Sequence, residues 1–109
     1  MIIEHMTISA REGQLAQLYS ALVSLTGPTE VERGCLSCRV FESRQEPNKV
    51  FIQAKWAGPE DLMMHLQSDT YKRILLLMEL SPSPPVLQFY MVQEIHGLDL
   101  VEKARVGVH

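Results

Sequence analysis

VFIQAKWAGPEDLMMHLQSDTY, residues 50–71, is the stretch that decides the fold, because an alternating apolar pattern gives way in it to a helical one. Over residues 50–56 apolar side chains recur at every second position, which predicts a β-strand. Gly58-Pro59 then begins a helix, since the first helical position does not use the N–H that proline lacks. Ser68 follows as the N-cap of a second, shorter helix. A strand followed by two helices therefore forms the centre of the predicted fold.

The same patterns extend in both directions from this stretch. They predict a strand over residues 1–10, followed by a helix with apolar residues at 15, 18, 19, 22 and 23. Two strands over 36–42 and 50–56 come next, joined by a hairpin at 46–48. After the two short helices, a last strand covers 86–95 and a short helical tail covers 98–105. Gly27-Pro28 should interrupt and bend the first helix. Tyr71, Ile74, Leu75 and Met78 should face inward on the second short helix.

The order β-α-β-β-α-β predicts an α+β fold of the ferredoxin-like, split βαβ type, with a four-stranded antiparallel sheet. The chain has 109 residues, which suits one domain. Residues 1–96 are assigned to that domain and residues 97–109 to a C-terminal tail.

The last two strands carry apolar residues on both faces, although the helices can cover only one face of such a sheet. We expect a second copy of the chain to cover the other face, which makes the protein a homodimer. Phe51 and Tyr90 belong either to this interface or to a pocket wall, and the pattern does not choose between the two.

Composition excludes several classes of partner. The net charge is −3, and no cluster of Lys and Arg forms the basic stripe that nucleic acid requires. No apolar run reaches the length of a membrane span. Glu4 and His5 interrupt the region where a signal peptide would be apolar. We therefore expect a soluble, cytoplasmic protein that binds neither nucleic acid nor membranes.

Cys35 and Cys38 form a single C-x-x-C motif at the start of a predicted strand. Because side chains alternate along a strand, residues three apart should point to opposite faces, which disfavours a redox pair. A zinc site needs two more ligands at suitable spacing, and the sequence offers no second motif. We predict no metal site and interpret both cysteines as structural thiols.

Two features of the sequence also resemble a known family. The first is Gly34-Cys35-Leu36, which enters a strand. The second is the pattern W-x(5)-L-x-x-H-x-x-S-x-x-[FY], whose residues here are Trp56, Leu62, His65, Ser68 and Tyr71. These features resemble the antibiotic-biosynthesis-monooxygenase family, and the similarity extends over residues 2–95. The resemblance implies a dimeric α+β barrel, with an apolar pocket between sheet and helices in each subunit.

Relatives of this kind oxidise quinols or polyketide aromatics with O2, without metal or flavin, while others isomerise a phosphorylated signal or degrade haem. Haem-degrading relatives carry their iron-binding histidine at the position of Leu75, and leucine cannot ligate iron. They also carry tryptophan at the position of His65. The resemblance therefore implies an enzyme without haem or any other cofactor.

His65 is the candidate catalytic residue, placed at the edge of the inward face of its helix. A neutral imidazole can accept a proton from a substrate hydroxyl near neutral pH. Trp56, Leu62 and Tyr71 are the candidate substrate-binding residues, with core packing as the alternative for each. The predicted function is cofactor-independent oxidation of a small, electron-rich, quinol-like aromatic with O2. Two alternatives stay open: a non-catalytic dimer that binds a small molecule, and an isomerase of a small sugar-derived signal.

The remaining polar candidates have weaker patterns. Arg39 could pair with an anionic substrate, or with a neighbouring carboxylate as strand arginines commonly do. His5, His96 and His109 have no partner pattern and are interpreted as structural or exposed.

Overall fold

The computed structural model describes residues 1–108, so His109 lies outside the described residues. Its elements are β1 (Ile2–Ser9), α1 (Leu15–Glu30), β2 (Cys35–Glu42), β3 (Lys49–Trp56), α2 (Pro59–Leu66), α3 (Asp69–Glu79), β4 (Val86–Met91) and α4 (Leu98–Ala104). The strands form one antiparallel sheet in the order β2-β3-β1-β4. The predicted α+β, ferredoxin-like fold class is confirmed.

The core lies between one face of the sheet and helices α1, α2 and α3. Strands β1 and β3 are central, and each buries every second residue on the helix side. The buried apolar residues of these strands are Ile2, Met6, Ile8, Val50, Ile52, Ala54 and Trp56; those of the helices are Leu22, Leu25, Leu62, Tyr71 and Ile74. A fully buried side chain of this size contributes about 1.5–3 kcal/mol, so these two strands anchor the domain.

Two boundaries differ from the predictions. The expected interruption at Gly27-Pro28 is wrong, because α1 continues through Pro28 to its end at Glu30. Pro28 has no N–H to donate to the carbonyl oxygen of Ser24, but Ser24 is exposed, so water can donate to that oxygen instead. Strand β4 ends at Met91 rather than near residue 95, because Met91 pairs with Ile2 and its partner strand begins there.

The helix face predicted for α3 is also wrong in part. Tyr71 and Ile74 are buried as expected, but Leu75 is 43% exposed. Fewer of the apolar residues of this short helix are therefore buried than its sequence pattern predicts.

The second face of the sheet is open. Phe41 and Phe51 are paired across β2 and β3 on this face, and His5 contacts Tyr90 edge-on with ring centroids 5.2 Å apart. Helix α4 has no buried residue. Among residues 1–108, no helix combines the length and the apolar character that a membrane span needs.

A candidate acid–base site around His65

Ser68 joins the two helices that carry the candidate residues. Its hydroxyl donates to the carbonyl oxygen of His65 at 2.6 Å and accepts from the backbone N–H of Tyr71 at 3.1 Å. The serine is thus the predicted N-cap of α3 and a clamp on the last turn of α2. These two hydrogen bonds of Ser68 explain the spacing of the motif, in which histidine, serine and tyrosine stand three residues apart.

The structure brings three of the predicted residues into one aromatic cluster. The His65 ring stacks on Trp56 with centroids 4.4 Å apart, and Tyr71 meets it edge-on at 5.0 Å. Trp56 is fully buried and His65 is 1% exposed. The predicted position of His65 at the edge of its helix face is therefore wrong, because Trp56 and Tyr71 enclose the ring. Leu62 is buried one turn earlier on α2.

Two carboxylates that the sequence did not predict flank the imidazole. Oε2 of Glu32 lies 2.9 Å from Nδ1 of His65, and Oε1 of Glu4 lies 3.7 Å from Nε2. The indole N–H of Trp56 donates to the same oxygen of Glu4 at 3.3 Å. The short contact to Glu32 assigns the proton of a neutral imidazole to Nδ1, which leaves Nε2 facing Glu4.

Burial controls the protonation of this cluster. It raises the pKa of Glu4 above the ordinary value of 4.5. The His65 imidazole, when protonated, and the hydrogen bonds from Trp56 and Tyr71 lower this pKa, and the negative charge of Glu32 raises it further. Burial also raises the pKa of Tyr71 to about 12, with a contribution from the charge of Glu4. Tyr71 therefore stays protonated near neutral pH and can donate a hydrogen bond to Glu4.

Comparison with known proteins agrees with this fold and motif. A sequence model of the antibiotic biosynthesis monooxygenase family matches residues 1–75, more than half of the chain. The chain belongs to this family.

Several solved structures have a similar fold. A Deinococcus radiodurans protein named as an antibiotic biosynthesis monooxygenase is 28% identical, with a TM-score of 0.80 over 89% of this chain and 97% of its own. Rv0793 from Mycobacterium tuberculosis is 18% identical, with a TM-score of 0.77 over 88% and 98% of the two chains. A Nitrosomonas europaea protein named for the family is 13% identical, with a TM-score of 0.76 over 86% and 100%. The last two show the fold alone. Curated proteins give no significant match.

The apolar pocket that the family resemblance implies is not at His65. A cavity of about 240 Å³ lies between α1 and α3, with Leu18, Leu77 and Leu80 in its wall and Arg11 at its rim. It reaches the sheet only at Ser9 and Ala10. Ser9 is five residues along β1 from Glu4, a separation of roughly 16 Å. His65 lines neither this cavity nor the larger hollow on the open sheet face, so the candidate acid–base group is closed in this structure.

The two cysteines are placed differently from the prediction. Cys35 pairs with Trp56 and Cys38 with Ala54, because a bulge at Leu36 inserts one extra residue into β2. Both cysteines therefore lie on the helix side of the sheet, and the expectation of opposite faces is wrong. Burial raises the pKa of Cys35, and that of Cys38 to about 12. Both thiols stay protonated near neutral pH, which supports a structural role.

The other polar candidates lie away from the cluster. Arg39 donates to Glu30 at 2.6 Å, so it pairs with a neighbouring carboxylate. His96 is exposed and contacts Glu94 at 3.1 Å. Within residues 1–108 no three His, Cys, Asp or Glu side chains are arranged to hold a metal ion. Glu4 and Glu32 approach different nitrogens of His65, so they do not converge on one point.

The raised pKa of Glu4 predicts how stability depends on pH. Between 4.5 and the raised pKa the folded state binds more protons than the unfolded state, so the free energy of unfolding falls as pH rises through this window. Glu4→Gln lacks the titrating carboxyl group. The free energy of unfolding of this variant, relative to that of the wild type, should therefore increase with pH. Urea unfolding of both proteins at several pH values from about 4.5 upward checks this. Parallel curves would contradict it.

Proposed function

We propose that the protein oxidises a small, electron-rich hydroxyaromatic with O2 and without a cofactor, using His65 as its acid–base group. The observation that carries this proposal is the imidazole held between two carboxylates inside an aromatic enclosure. Paired titratable groups with a perturbed pKa are typical of acid–base sites. Exclusion of water would also protect a reactive oxygen intermediate.

The chemistry needs only a base and a shaped, dry space. Removal of one phenolic proton from a hydroquinone gives an anion, which transfers one electron to O2 and forms a semiquinone–superoxide pair. The pair recombines through a new carbon–oxygen bond to a peroxide anion, which takes back one proton to become a hydroperoxide. Loss of water then leaves a hydroxyquinone. One oxygen atom stays in the product and the other leaves as water, and the substrate supplies every electron.

Substrate entry must be coupled to an opening of the cluster, because His65 is 1% exposed. Tyr71 lies in the first turn of α3 and closes the ring edge-on, so movement of its side chain would expose the imidazole. Trp56 would then stack on a flat ring, and Leu62 would contribute an apolar wall. We assign substrate binding to these three residues.

Oxygen uptake with a panel of hydroquinones tests this function. The expected result is consumption of one O2 per hydroquinone, with one atom of ¹⁸O2 recovered in the hydroxyquinone by mass spectrometry. The purified protein should need no added metal, flavin or nicotinamide. Absence of uptake with every member of the panel would contradict the proposal.

A non-catalytic binding protein is the second candidate, favoured by the separation of the α1–α3 cavity from His65. Calorimetric binding of a hydroquinone that leaves it unoxidised in air would support this reading. Isomerisation of a phosphorylated signal has less support, because carboxylates rather than cations flank His65.

We also propose that a second copy covers the open sheet face. Phe41, Val86 and Tyr90 are each at least 44% exposed there in one copy. A stable dimer would bury about 1,600 Å² in total, and the protein should sediment as a dimer at micromolar concentration. Phe51→Asp should give a folded monomer, because it places charge in the apolar face. Leu76→Asp, at an exposed apolar position of α3, is the control and should remain dimeric. A monomeric wild type would contradict this assignment.

A further inference from the structure

Both nitrogens of His65 face carboxylates, which limits what the imidazole can do directly. Nδ1 is 2.9 Å from Glu32 and Nε2 faces Glu4 at 3.7 Å. Nδ1 is therefore already hydrogen-bonded, and a substrate hydroxyl that approaches Nε2 meets the carboxylate of Glu4 as well. An imidazole in this position can still take a proton on one nitrogen and release another from the opposite one.

The three side chains run from the interior towards solvent. The side chain of Glu4 is 3% exposed and that of His65 is 1% exposed, whereas that of Glu32 is 21% exposed. Glu4 is on the central strand β1, and Glu32 is in the connection between α1 and β2. The imidazole is thus the middle member of a chain with a buried end and an end that water can reach.

The surroundings of Glu4 suit a group that gains and loses a proton. The groups acting on it are His65 of α2, Trp56 of β3, Tyr71 of α3 and the carboxylate of Glu32. None of these is a lysine or arginine, so no permanent positive charge among them holds Glu4 ionised. Burial raises its pKa, and a carboxyl group with a raised pKa is a better proton acceptor than an ordinary one.

We propose that Glu4, His65 and Glu32 form a proton relay in which Glu4 takes the proton of the substrate and Glu32 releases one to solvent. This inference rests on the proposed function, and it makes Glu4 the group that touches the substrate. The substrate O–H transfers its proton to Glu4, which passes it to Nε2 of His65. The proton on Nδ1 moves to Glu32 and then to water. This passage leaves the proton of His65 on Nε2 instead of Nδ1. The reverse passage, from water through Glu32 to Nδ1 and from Nε2 through Glu4 to the peroxide anion, restores the starting tautomer and completes the hydroperoxide, and no electron is transferred within the relay.

Nuclear magnetic resonance tests the relay without any substrate. In the wild type the ring nitrogen signals of His65 should show a step that coincides with the carboxyl ¹³C titration of Glu4. Glu4→Gln should abolish that step, and Glu32→Ala should accelerate solvent exchange of the Nδ1 proton by about tenfold or more. His96, exposed beside Glu94, is the control in the same spectra. A single His65 step that Glu4→Gln leaves unchanged would overturn the relay.

Turnover tests the direction of proton flow. With a hydroquinone that the wild type oxidises, Glu4→Gln should lower turnover by roughly 10²–10⁴-fold. Glu32→Ala should lower it less, and added acetate should restore it, because this position is open to solvent. Glu94→Ala, which removes a carboxylate beside an exposed histidine, should stay fully active. Full activity of Glu4→Gln or Glu32→Ala would overturn the relay. Inactivity of the wild type with every hydroquinone would instead contradict the proposed function, and the resonance experiment would still decide the relay.

Discussion

His65→Gln is expected to lower the turnover of an accepted hydroquinone by roughly 10²–10⁴-fold, the range that general acid–base catalysis contributes. Glutamine keeps a polar group between the two carboxylates but cannot carry a proton from one to the other. The effect should appear in oxygen uptake measured per folded molecule. Full activity in a folded His65→Gln protein would remove the histidine from the chemistry.

Glutamine is preferable to alanine at this position because the imidazole is buried. His65→Ala would leave the carboxyl of Glu4 and the ring face of Trp56 without their partner. An unsatisfied buried polar group costs about 1–3 kcal/mol, so alanine would mix a loss of stability with a loss of chemistry. Ile74→Ala on α3 is the matched control, since residue 74 is buried but lies outside the proposed site. It should cost about 2–5 kcal/mol in unfolding free energy while the folded fraction stays active.

The sequence predicted the elements whose pattern is local. The alternation of residues 50–56 and the proline that begins α2 each depend on neighbouring residues, and the structure confirms both. Ser68 as the cap of α3 is confirmed for the same reason. These features place Trp56, His65 and Tyr71 on adjacent elements, but the packing of their three rings against one another was not predicted.

The two carboxylates differ in how far their positions could be predicted from the sequence. Glu4 has the same parity as Ile2 and Met6 on β1, so the alternation itself places it on the buried face. An acidic residue in that register was a usable signal. Glu32 offered none, because it lies in a connection, 33 residues before His65 in the chain, and reaches it only through the tertiary fold.

The bulge in β2 had no local signal either. Alternation predicts opposite faces for Cys35 and Cys38, and one extra residue at Leu36 reverses that result. The exposure of Leu75 had no local signal for a similar reason: the packing of neighbouring elements decides which apolar residues of a short helix are covered. Contacts distant in sequence decided both cases.

Gly34 connects the backbone of β2 to the helix that carries His65. Its φ of +77° lies in the left-handed region, and a Cβ at this position would overlap the side chain of Asp61 on α2. The carbonyl of Gly34 accepts from the N–H of Ala57, just before α2, at 2.8 Å. Gly34 also follows Glu32 by two residues. A side chain here would therefore push α2 and the Glu32 connection apart.

Gly34→Ala should lower the free energy of unfolding by about 2–5 kcal/mol, combining about 1–2 kcal/mol for the left-handed backbone with about 1–3 kcal/mol for the overlap with Asp61. Gly13→Ala is the matched control, because Gly13 has a φ of +79° and nothing within 4 Å of the added Cβ. It should show the backbone cost alone. Urea unfolding of the three proteins gives the difference, which measures the overlap. The ring nitrogen signals of His65 should move in Gly34→Ala but stay fixed in Gly13→Ala, since only the first displaces α2. Equal stability of the two variants would show that the contact between Gly34 and Asp61 does not hold α2 in place.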